Sequence, residues 1–263
     1  TGARLWLLAL ANATFYLAAG PANLALFVGA SLATYLIGGR VTGAYGRAWL
    51  WFGILANVAN LAFFKYAGFL AAADWARDVL LPIGISFYTF QHISYLVDRR
   101  TRDLPAAPSY LQFWVYISFF GHSIAGPIMR GHEFFPQIAQ TATKQWDPVA
   151  TRLAVGLITL GLVKKLGLAD PIGATVDMYF AAPAALSLGE AWAAALLFAF
   201  QIYYDFSAYS DMAVGIGLLF GYQLRQNFRT PYVAADPSEF WRRWHVTLSE
   251  WIRGYVYFPL GGN

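Results

Sequence analysis

A histidine near the end of the sequence stands among residues that suit general-base chemistry. His245 follows the run Phe-Trp-Arg-Arg-Trp and precedes Val-Thr-Leu-Ser. On one continuous helix, at about 100° per residue, it shares a face with Trp241, Arg242 and Ser249, while Arg243 points away. Aromatic neighbours would bury the imidazole and favour its neutral form, which a general base requires. The alternative is a structural histidine buried beside a basic, tryptophan-rich interfacial helix.

The helix expected to position this histidine has start and stop signals. Asp236 can cap its first turn, Pro237 suits the first helical position, and Glu239 stands three residues after the cap. Pro259 and the Gly-Gly pair that follows it end the helix. We therefore expect a single helix to carry the whole Trp-Arg-Arg-Trp-His run.

Two carboxylates, Asp205 and Asp211, stand six residues apart among tyrosines and serines, with Tyr209 between them. Asp205 lies at the end of the apolar segment over residues 190–206, and Asp211 directly precedes the apolar segment over residues 212–222. Placing a carboxylate within a membrane costs so much free energy that such a residue is expected to have a structural or functional role. They predict either a hydrogen-bonded network that pins a broken helix, or groups that orient a substrate or pair with an arginine.

Polar side chains also interrupt two other apolar segments. Gln91 lies in a predicted span over residues 80–97, which Pro82 and Gly84 should kink or shorten. His122 lies in a glycine- and proline-rich stretch that follows an aromatic segment, which indicates a broken or re-entrant element. Such polar groups must find internal partners or line a cavity.

The composition indicates a polytopic membrane protein of the all-α class. The 263 residues are 58% hydrophobic and 12% charged, whereas soluble domains carry roughly 25% charged residues. No cysteine is present, which excludes disulfides and thiol chemistry. We expect a polar loop over residues 133–151. The remaining apolar segments are residues 5–19, 24–37, 48–70, 110–120 and 151–168.

The net charge of +4 is spread along loops, which fits membrane anchoring better than nucleic-acid binding. An acidic loop over residues 74–78 falls on the opposite side of the membrane from the arginine-bearing loops. We therefore place the arginine loops in the cytoplasm. The arginines concerned are Arg40, Arg47, Arg99, Arg100 and Arg102.

Three short patterns resemble known sites but do not match them. Residues 121–126, Gly-His-Ser-Ile-Ala-Gly, depart from the G-x-S-x-G nucleophile elbow and follow no predicted strand. Gly215, Gly217 and Gly221 lie in an apolar helix with the wrong spacing for a dinucleotide site, so they predict close helix packing. The four histidines lack metal-ligand spacing, so we predict no metal site.

Motifs over most of the chain resemble the membrane-bound O-acyltransferase (MBOAT) family, in its bacterial AlgI-like branch of polysaccharide O-acetyltransferases. The motifs begin with LPIGISFYTFQ and ISYLVD, continue through AGPIMR, FFPQ, GLVKK and DFSAYSDMA, and end with NFRTPY, FWRRWHVTLS and PLGGN. The last two are the most specific. A doubled arginine before Trp-His favours this branch over the D-alanyl (DltB-like) branch.

The resemblance implies a single helical membrane domain over residues 1–263, built around a central tunnel. It implies transfer of an acyl group, usually acetyl, to hydroxyls of an extracytoplasmic polysaccharide by a multi-pass protein of the bacterial inner membrane. We expect acetyl-CoA or another acyl thioester as donor, with no bound cofactor, and membrane lipid and a periplasmic acetyltransferase as partners. His245 is the expected catalytic residue. The expected substrate or tunnel residues are Arg242, Trp241, Ser249, Asp205, Asp211, Tyr209, Gln91 and His122.

Members of this family usually carry a second histidine, in a Trp-His-Gly context beyond Gly-Gly-Asn, and one more membrane helix at the start. The sequence contains neither, so we expect a family domain truncated at both ends. A non-enzymatic channel or scaffold subunit that passes acyl groups to a periplasmic transferase is the alternative, together with D-alanyl transfer to teichoic acid. A secondary transporter would need inverted repeats, which the sequence lacks.

Overall fold

The computed structural model describes residues 2–70, 81–101, 104, 107–141 and 143–262, and every regular element in those ranges is helical. This confirms the all-α prediction. The α-helices are α1 Gly2–Ala18, α2 Pro21–Gly38, α3 Gly46–Leu70, α4 Ile85–Thr101, α5 Tyr110–Ser118, α6 Gly131–Ala139, α7 Pro148–Leu162, α8 Asp170–Ala181, α9 Leu188–Leu219, α10 Pro237–Arg243 and α11 Val246–Ile252. Two π-helical segments, Val163–Ala169 and Arg253–Tyr257, continue α7 and α11.

The chain forms two compact units. Unit 1 comprises Thr1–Ile124, Ile128–Gln145 and Trp251–Asn263, and unit 2 comprises Ala125–Pro127 and Trp146–Glu250. Helices α1 to α6 and the second π-helical segment belong to unit 1. Helices α7 to α10 belong to unit 2 and include the long helix α9.

Two of the described helical stretches, Pro21–Gly38 and Gly46–Ala67, are long and apolar enough to cross a membrane. In the second stretch only 11% of the residues of its most apolar window are buried. Large side chains such as Trp51, Phe52 and Leu55 therefore lie exposed along α3. An apolar surface of this extent on a helix requires an apolar environment. The acidic loop at residues 74–78 and Arg102, used above to orient the protein, lie outside the described residues.

Helix α4 lies at the centre of unit 1 and packs against α2, α3 and α6. It begins at Ile85, after Pro82 and Gly84, so the predicted shortening of this span is confirmed. Near its other end, the fully buried carboxylate of Asp98 accepts a hydrogen bond from the Tyr255 hydroxyl at 2.9 Å. The second carboxylate oxygen lies 2.9 Å from Nδ1 of His132. This carboxylate therefore ties α4 to α6 and to the C-terminal π-helical segment.

The segment after α5 contains no helix until residue 131, which confirms the predicted break. The polar loop predicted over residues 133–151 is wrong. Helix α6 occupies its start, where Glu133 accepts the backbone N–H of Arg130 at 3.1 Å. Helix α7 occupies its end, where the Asp147 side chain accepts the N–H of Val149 at 2.8 Å. These capping interactions stabilise the first turns of both helices, so helices form in a stretch whose polar composition predicted a loop.

Unit 2 is built on α9, which packs along α7, its π-helical continuation and α8. The predicted segment 190–206 and residues 212–219 of the second segment lie in one uninterrupted 32-residue helix, so the broken-helix interpretation is wrong. The close packing predicted for Gly215 is confirmed. A Cβ atom there would lie 2.8 Å from the carbonyl oxygen of Ala154 and 2.8 Å from Cγ1 of Ile158.

Candidate functional site

The single helix expected to carry His245 is interrupted at that residue. Helix α10 ends at Arg243 and α11 begins at Val246. His245 lies between them with φ of 42°, in the left-handed region that residues other than glycine seldom adopt. Such a conformation costs about 1–3 kcal/mol and persists only where surrounding contacts enforce it. The helical-wheel argument that placed Trp241 and Arg242 on one face with His245 is therefore wrong.

Backbone contacts with the preceding loop enforce the break. The N–H of Arg229 donates to the carbonyl of Arg243 at 2.9 Å, and the N–H of Val246 donates to the carbonyl of Asn227 at 2.9 Å. These bonds use the groups at the last turn of α10 and the first turn of α11, which a continuous helix would pair internally. The loop at residues 227–229 thus holds His245 at the junction.

The start of α10 follows the prediction. The Asp236 side chain accepts the N–H of Glu239 at 2.7 Å, and the Glu239 carboxylate accepts the N–H of Ala235 at 2.8 Å. Glu239 also accepts from Nη2 of Arg243 at 2.5 Å. Nη1 of Arg243 donates to the carbonyl of Arg229 at 3.3 Å, so Arg243 fastens the helix to the loop.

The His245 side chain is held between an amide and two aromatic rings. Its Nδ1 lies 3.4 Å from Oδ1 of Asn227, which also accepts the hydroxyl of Thr247 at 2.6 Å. The ring of Phe206 meets the imidazole edge to face at 4.7 Å between centroids, and Phe228 lies nearly parallel to it at 6.5 Å. Asn227 and Thr247 are fully buried.

This environment selects both the charge and the tautomer of His245. The residue lies outside the predicted spans, in the loop between two short helices, and burial lowers its pKa from 6.5 to about 4. With Nδ1 donating to the Asn227 oxygen, the lone pair is on Nε2. A neutral imidazole with Nε2 unprotonated is the form that accepts a proton from a hydroxyl.

The other residues expected near His245 are placed differently. Ser249 is close, because its N–H donates to the His245 carbonyl at 3.1 Å. Arg242 and Trp241 are exposed, and Trp241 keeps 58% of its surface accessible. Their side chains extend from α10 before the break, and no contact with the imidazole is described for either.

Asp205 and Asp211 pair with lysines, and the arginine partner predicted as one alternative is not described for either. Nζ of Lys164 lies 2.6 Å from Asp211, and Nζ of Lys165 lies 2.6 Å from Asp205. Both lysines belong to the π-helical segment Val163–Ala169, so the two pairs clamp it to α9. Tyr209 lies between the carboxylates in sequence and is 39% exposed.

Gln91 and His122 meet in unit 1. Nε2 of Gln91 lies 3.2 Å from Nδ1 of His122, and both side chains are buried. The sequence placed both at membrane depth, and the structure brings them together through the break after α5. Unit 1 therefore contains a second polar centre.

Sequence reasoning missed the residues that shape the imidazole's surroundings. Asn227 lies in a polar loop and Phe206 ends an apolar run, so neither has a local pattern that points to a histidine. The motif Asn-Phe-Arg-Thr-Pro-Tyr, one of those that carry the family resemblance, could have pointed to these residues, because Asn227 is its first residue and Phe228 its second.

Comparisons with known proteins agree on one family. Residues 44–263 match MBOAT, the membrane-bound O-acyltransferase family. A probable alginate O-acetylase AlgI from Pseudomonas syringae pv. tomato is 40% identical over 259 residues, covering 91% of this chain and 49% of that protein. A peptidoglycan O-acetyltransferase from Helicobacter pylori is 36% identical over 296 residues, covering 99% and 56%.

A more distant relative is the teichoic acid D-alanyltransferase of Bacillus subtilis, 26% identical over 185 residues, covering 69% of this chain and 46% of that protein. The chain spans about half the length of the curated relatives it matches. The match to the family covers most of the chain and includes the helix break that holds His245. The chain is a membrane protein and belongs to the membrane-bound O-acyltransferase family.

Proposed function

We propose that this chain is part of an O-acyltransferase that moves an acyl group, in the simplest case acetyl, to a hydroxyl of a polysaccharide. The carrying observation is His245, held at a helix break with its imidazole neutral and its Nδ1 directed at Asn227. The names of the relatives at 36–40% identity, which refer to alginate and peptidoglycan, support acetyl transfer to a glycan. The D-alanyl alternative has weaker support, at 26% identity.

The chemical step proceeds by general-base catalysis. Nε2 of His245 removes the proton from the acceptor hydroxyl as the oxygen attacks the carbonyl carbon of an acyl thioester. The tetrahedral intermediate then expels the thiolate, which takes the proton back from the imidazolium. Asn227 keeps the imidazole in the required tautomer throughout, because its Oδ1 accepts from Nδ1.

The remaining site residues have supporting roles in this proposal. Arg242 is exposed on α10 and can bind the phosphates of the donor or stabilise developing negative charge. The pairs of Asp205 and Asp211 with lysines hold the π-helical segment in place. Gln91 and His122 line a tunnel through the membrane domain, and Trp241, Ser249 and Tyr209 contact substrate.

The proposed cellular setting follows from the same chemistry. A cytoplasmic thioester, acetyl-CoA or another acyl carrier, supplies the group, and the acceptor lies outside the cytoplasm. We infer that the protein lies in the bacterial inner membrane and crosses it several times. A periplasmic acetyltransferase is the proposed partner, because a polysaccharide acceptor must be presented to the membrane.

The test is transfer of labelled acetyl groups from acetyl-CoA to polysaccharide in membrane vesicles. His245→Ala should reduce transfer by about 10²–10⁴-fold, the usual contribution of a positioned general base. Expression level and thermal midpoint should stay near those of the unsubstituted protein. Added imidazole should restore part of the rate if the lost group is a base. Full transfer by the variant contradicts the proposal and favours a channel or scaffold role.

A further inference from the structure

The turn between α2 and α3 in unit 1 is anchored to the end of α4. Val41 is fully buried within this turn, and its carbonyl accepts a hydrogen bond from Nη1 of Arg100 at 3.2 Å. Gly46, the first residue of α3, packs directly on the same carbonyl, because a Cβ atom there would clash with it. Farther along, Nδ1 of His92 on α4 lies 2.9 Å from Oδ1 of Asn57 on α3. The two helices therefore run antiparallel, with the turn beside the last residues of α4.

Four arginines gather at this end of unit 1. Arg40 lies in the turn, Arg47 in the first turn of α3, and Arg99 and Arg100 in the last turn of α4. Helices α2, α3 and α4 contain a single acidic residue, Asp98, whose carboxylate is fully buried and already hydrogen-bonded as described above. Within the described ranges, none of the four arginines has a carboxylate partner. Their positive charge is therefore available to an anion from outside the protein.

The side chain of Arg40 is restrained beside a tryptophan. Its Nη1 donates to the carbonyl of Leu36, one turn earlier on α2, at 3.1 Å, and its Cζ lies 5.1 Å from the centre of the Trp49 ring. A guanidinium over an indole gains cation–π attraction. A role in capping α2 accounts for the bond to Leu36 but not for the contact with Trp49. Because the carbonyl uses one of the five N–H donors of the guanidinium, the others can bind a further acceptor.

The same tryptophan forms a wall of an open, apolar surface pocket. Ala48, Trp49 and Phe52 line this pocket, whose volume is about 240 Å³. The rings of Trp49 and Phe52 meet edge to face at 5.8 Å between centroids. Phe52 and Leu55, which are 57% and 62% exposed, continue the apolar surface along α3. The guanidinium of Arg40 therefore lies at one end of an apolar strip on a membrane-spanning helix. We call Arg40, Ala48, Trp49 and Phe52 the Arg40 site.

The chemistry of the Arg40 site selects a ligand with an anionic head and an apolar chain. A guanidinium binds phosphate through paired, charge-assisted hydrogen bonds, and the pocket and strip suit an acyl chain. Free phosphate would use only the guanidinium, and an uncharged lipid would use only the strip. A zwitterionic headgroup would bring its ammonium close to four arginines, which is unfavourable, whereas a lipid of net negative charge is attracted to them.

We propose that the Arg40 site binds an anionic phospholipid, with its phosphate on the guanidinium of Arg40 and an acyl chain along Phe52 and Leu55. Trp49 serves both parts of the lipid, because its ring supports the guanidinium and also lines the pocket. Tryptophan and arginine are the side chains that membrane proteins favour at the level of the lipid headgroups. The site lies within unit 1 and does not include His245, so its tests do not depend on acyl transfer.

Photolabelling tests the proposal directly. The protein is reconstituted in phosphatidylcholine vesicles that contain a trace of phosphatidylglycerol with a diazirine in its acyl chain. Irradiation should label the peptide that contains Phe52 and Leu55, as found by mass spectrometry of the digested protein. Excess unlabelled phosphatidylglycerol should remove this label, and an equal excess of phosphatidylethanolamine should not. Equal competition by the two lipids would show that α3 contacts only bulk bilayer, and absence of label would show that the strip is covered by something else. Either result overturns the proposal.

Two matched variants test the role of the guanidinium. Arg40→Gln and Arg47→Gln each remove one positive charge from an exposed position near the start of α3, so both should fold and both change the surface charge equally. No contact of Arg47 with the pocket is described. Labelling around Phe52 should fall at least about fivefold further in Arg40→Gln than in Arg47→Gln, the size of one arginine's attraction to anionic lipid. Equal labelling of the two variants, at unchanged thermal midpoints, contradicts a phosphate contact at Arg40.

Discussion

Nδ1 of His245 lies 3.4 Å from Oδ1 of Asn227, and the same oxygen accepts the Thr247 hydroxyl at 2.6 Å. The backbone carbonyl of Asn227 also accepts the N–H of Val246. One loop residue therefore positions the histidine through its side chain and enforces the helix break through its main chain. The imidazole owes its orientation to this residue and to the packing of Phe206.

Replacing Asn227 should lower the rate of acyl transfer, because Asn227 positions the imidazole of His245. In Asn227→Ala the Thr247 hydroxyl and Nδ1 of His245 both lose their hydrogen bonds to the Asn227 oxygen, which should cost about 1–3 kcal/mol of unfolding free energy. Transfer should fall because the tautomer with Nε2 unprotonated is no longer selected. Rates and denaturation midpoints measured on the same preparations separate the two effects. A variant with reduced stability and unchanged rate at low temperature would contradict the positioning role.

Asn227→Asp provides a companion variant. A carboxylate keeps an acceptor for both donors but stabilises the imidazolium, so it should raise the pKa of His245. The acidic limb of the transfer rate should therefore move to higher pH. The pH profile of kcat/KM checks this, because a purely structural change would lower the rate without moving the limb.

Burial of His245 makes a prediction about acid stability. Its pKa is lowered to about 4 in the folded protein, whereas an unfolded histidine titrates near 6.5. Between these values the unfolded chain binds more protons, so this residue's contribution to stability falls as pH drops from about 6.5 towards 4 and is pH-independent above that range. Denaturant titrations across this window should show the loss. His245→Gln should show a smaller slope, and an equal slope would contradict the assignment.

The features that the sequence predicted are those determined locally. The cap at Asp236, the shortened start of α4 after Pro82 and Gly84, and the break after α5 depend on residues that are neighbours in the chain. The interruption at His245 depends on bonds from Arg229 to Arg243 and from Val246 to Asn227, whose partners lie 14 and 19 positions apart in the chain. A helical wheel contains no information about such bonds, which is why it placed Trp241 and Arg242 beside His245.

Asp205 and Asp211 of α9 also show that local sequence patterns do not predict contacts between residues far apart in the chain. Their cost at membrane depth correctly indicated that they needed partners. The partners, Lys164 and Lys165, are 40 or more positions earlier in the chain, and they reach α9 from a π-helical segment that no local signal predicts. Residue types alone could not distinguish a broken helix held by a hydrogen-bonded network from a continuous helix that ion pairs join to a neighbouring segment.

The two lysines should differ in their contribution to stability. Lys164 and Asp211 are 20% and 25% exposed, whereas Lys165 and Asp205 are 36% and 51% exposed. Lys164→Met should therefore destabilise by about 1–2 kcal/mol, because Asp211 is left partly buried without its partner. Lys165→Met should cost less than about 1 kcal/mol, as exposed pairs do. Double-mutant cycles with Asp211→Asn and Asp205→Asn measure the couplings, and a larger coupling for the exposed pair would reverse the expected order.

A pair of glycines tests how closely α7 and α9 must approach. In Gly215→Ala the new methyl group would lie 2.8 Å from the carbonyl oxygen of Ala154 and 2.8 Å from Ile158, so the helices must separate. Overpacking of this kind costs about 1–3 kcal/mol. Gly156→Ala, on α7 itself, meets no described atom within 4 Å and should stabilise by about 0.5–1 kcal/mol, because alanine is the better helix former. Thermal midpoints in detergent should therefore move in opposite directions. If both substitutions raise the midpoint, the contact between α7 and α9 at Gly215 is looser than the structure indicates.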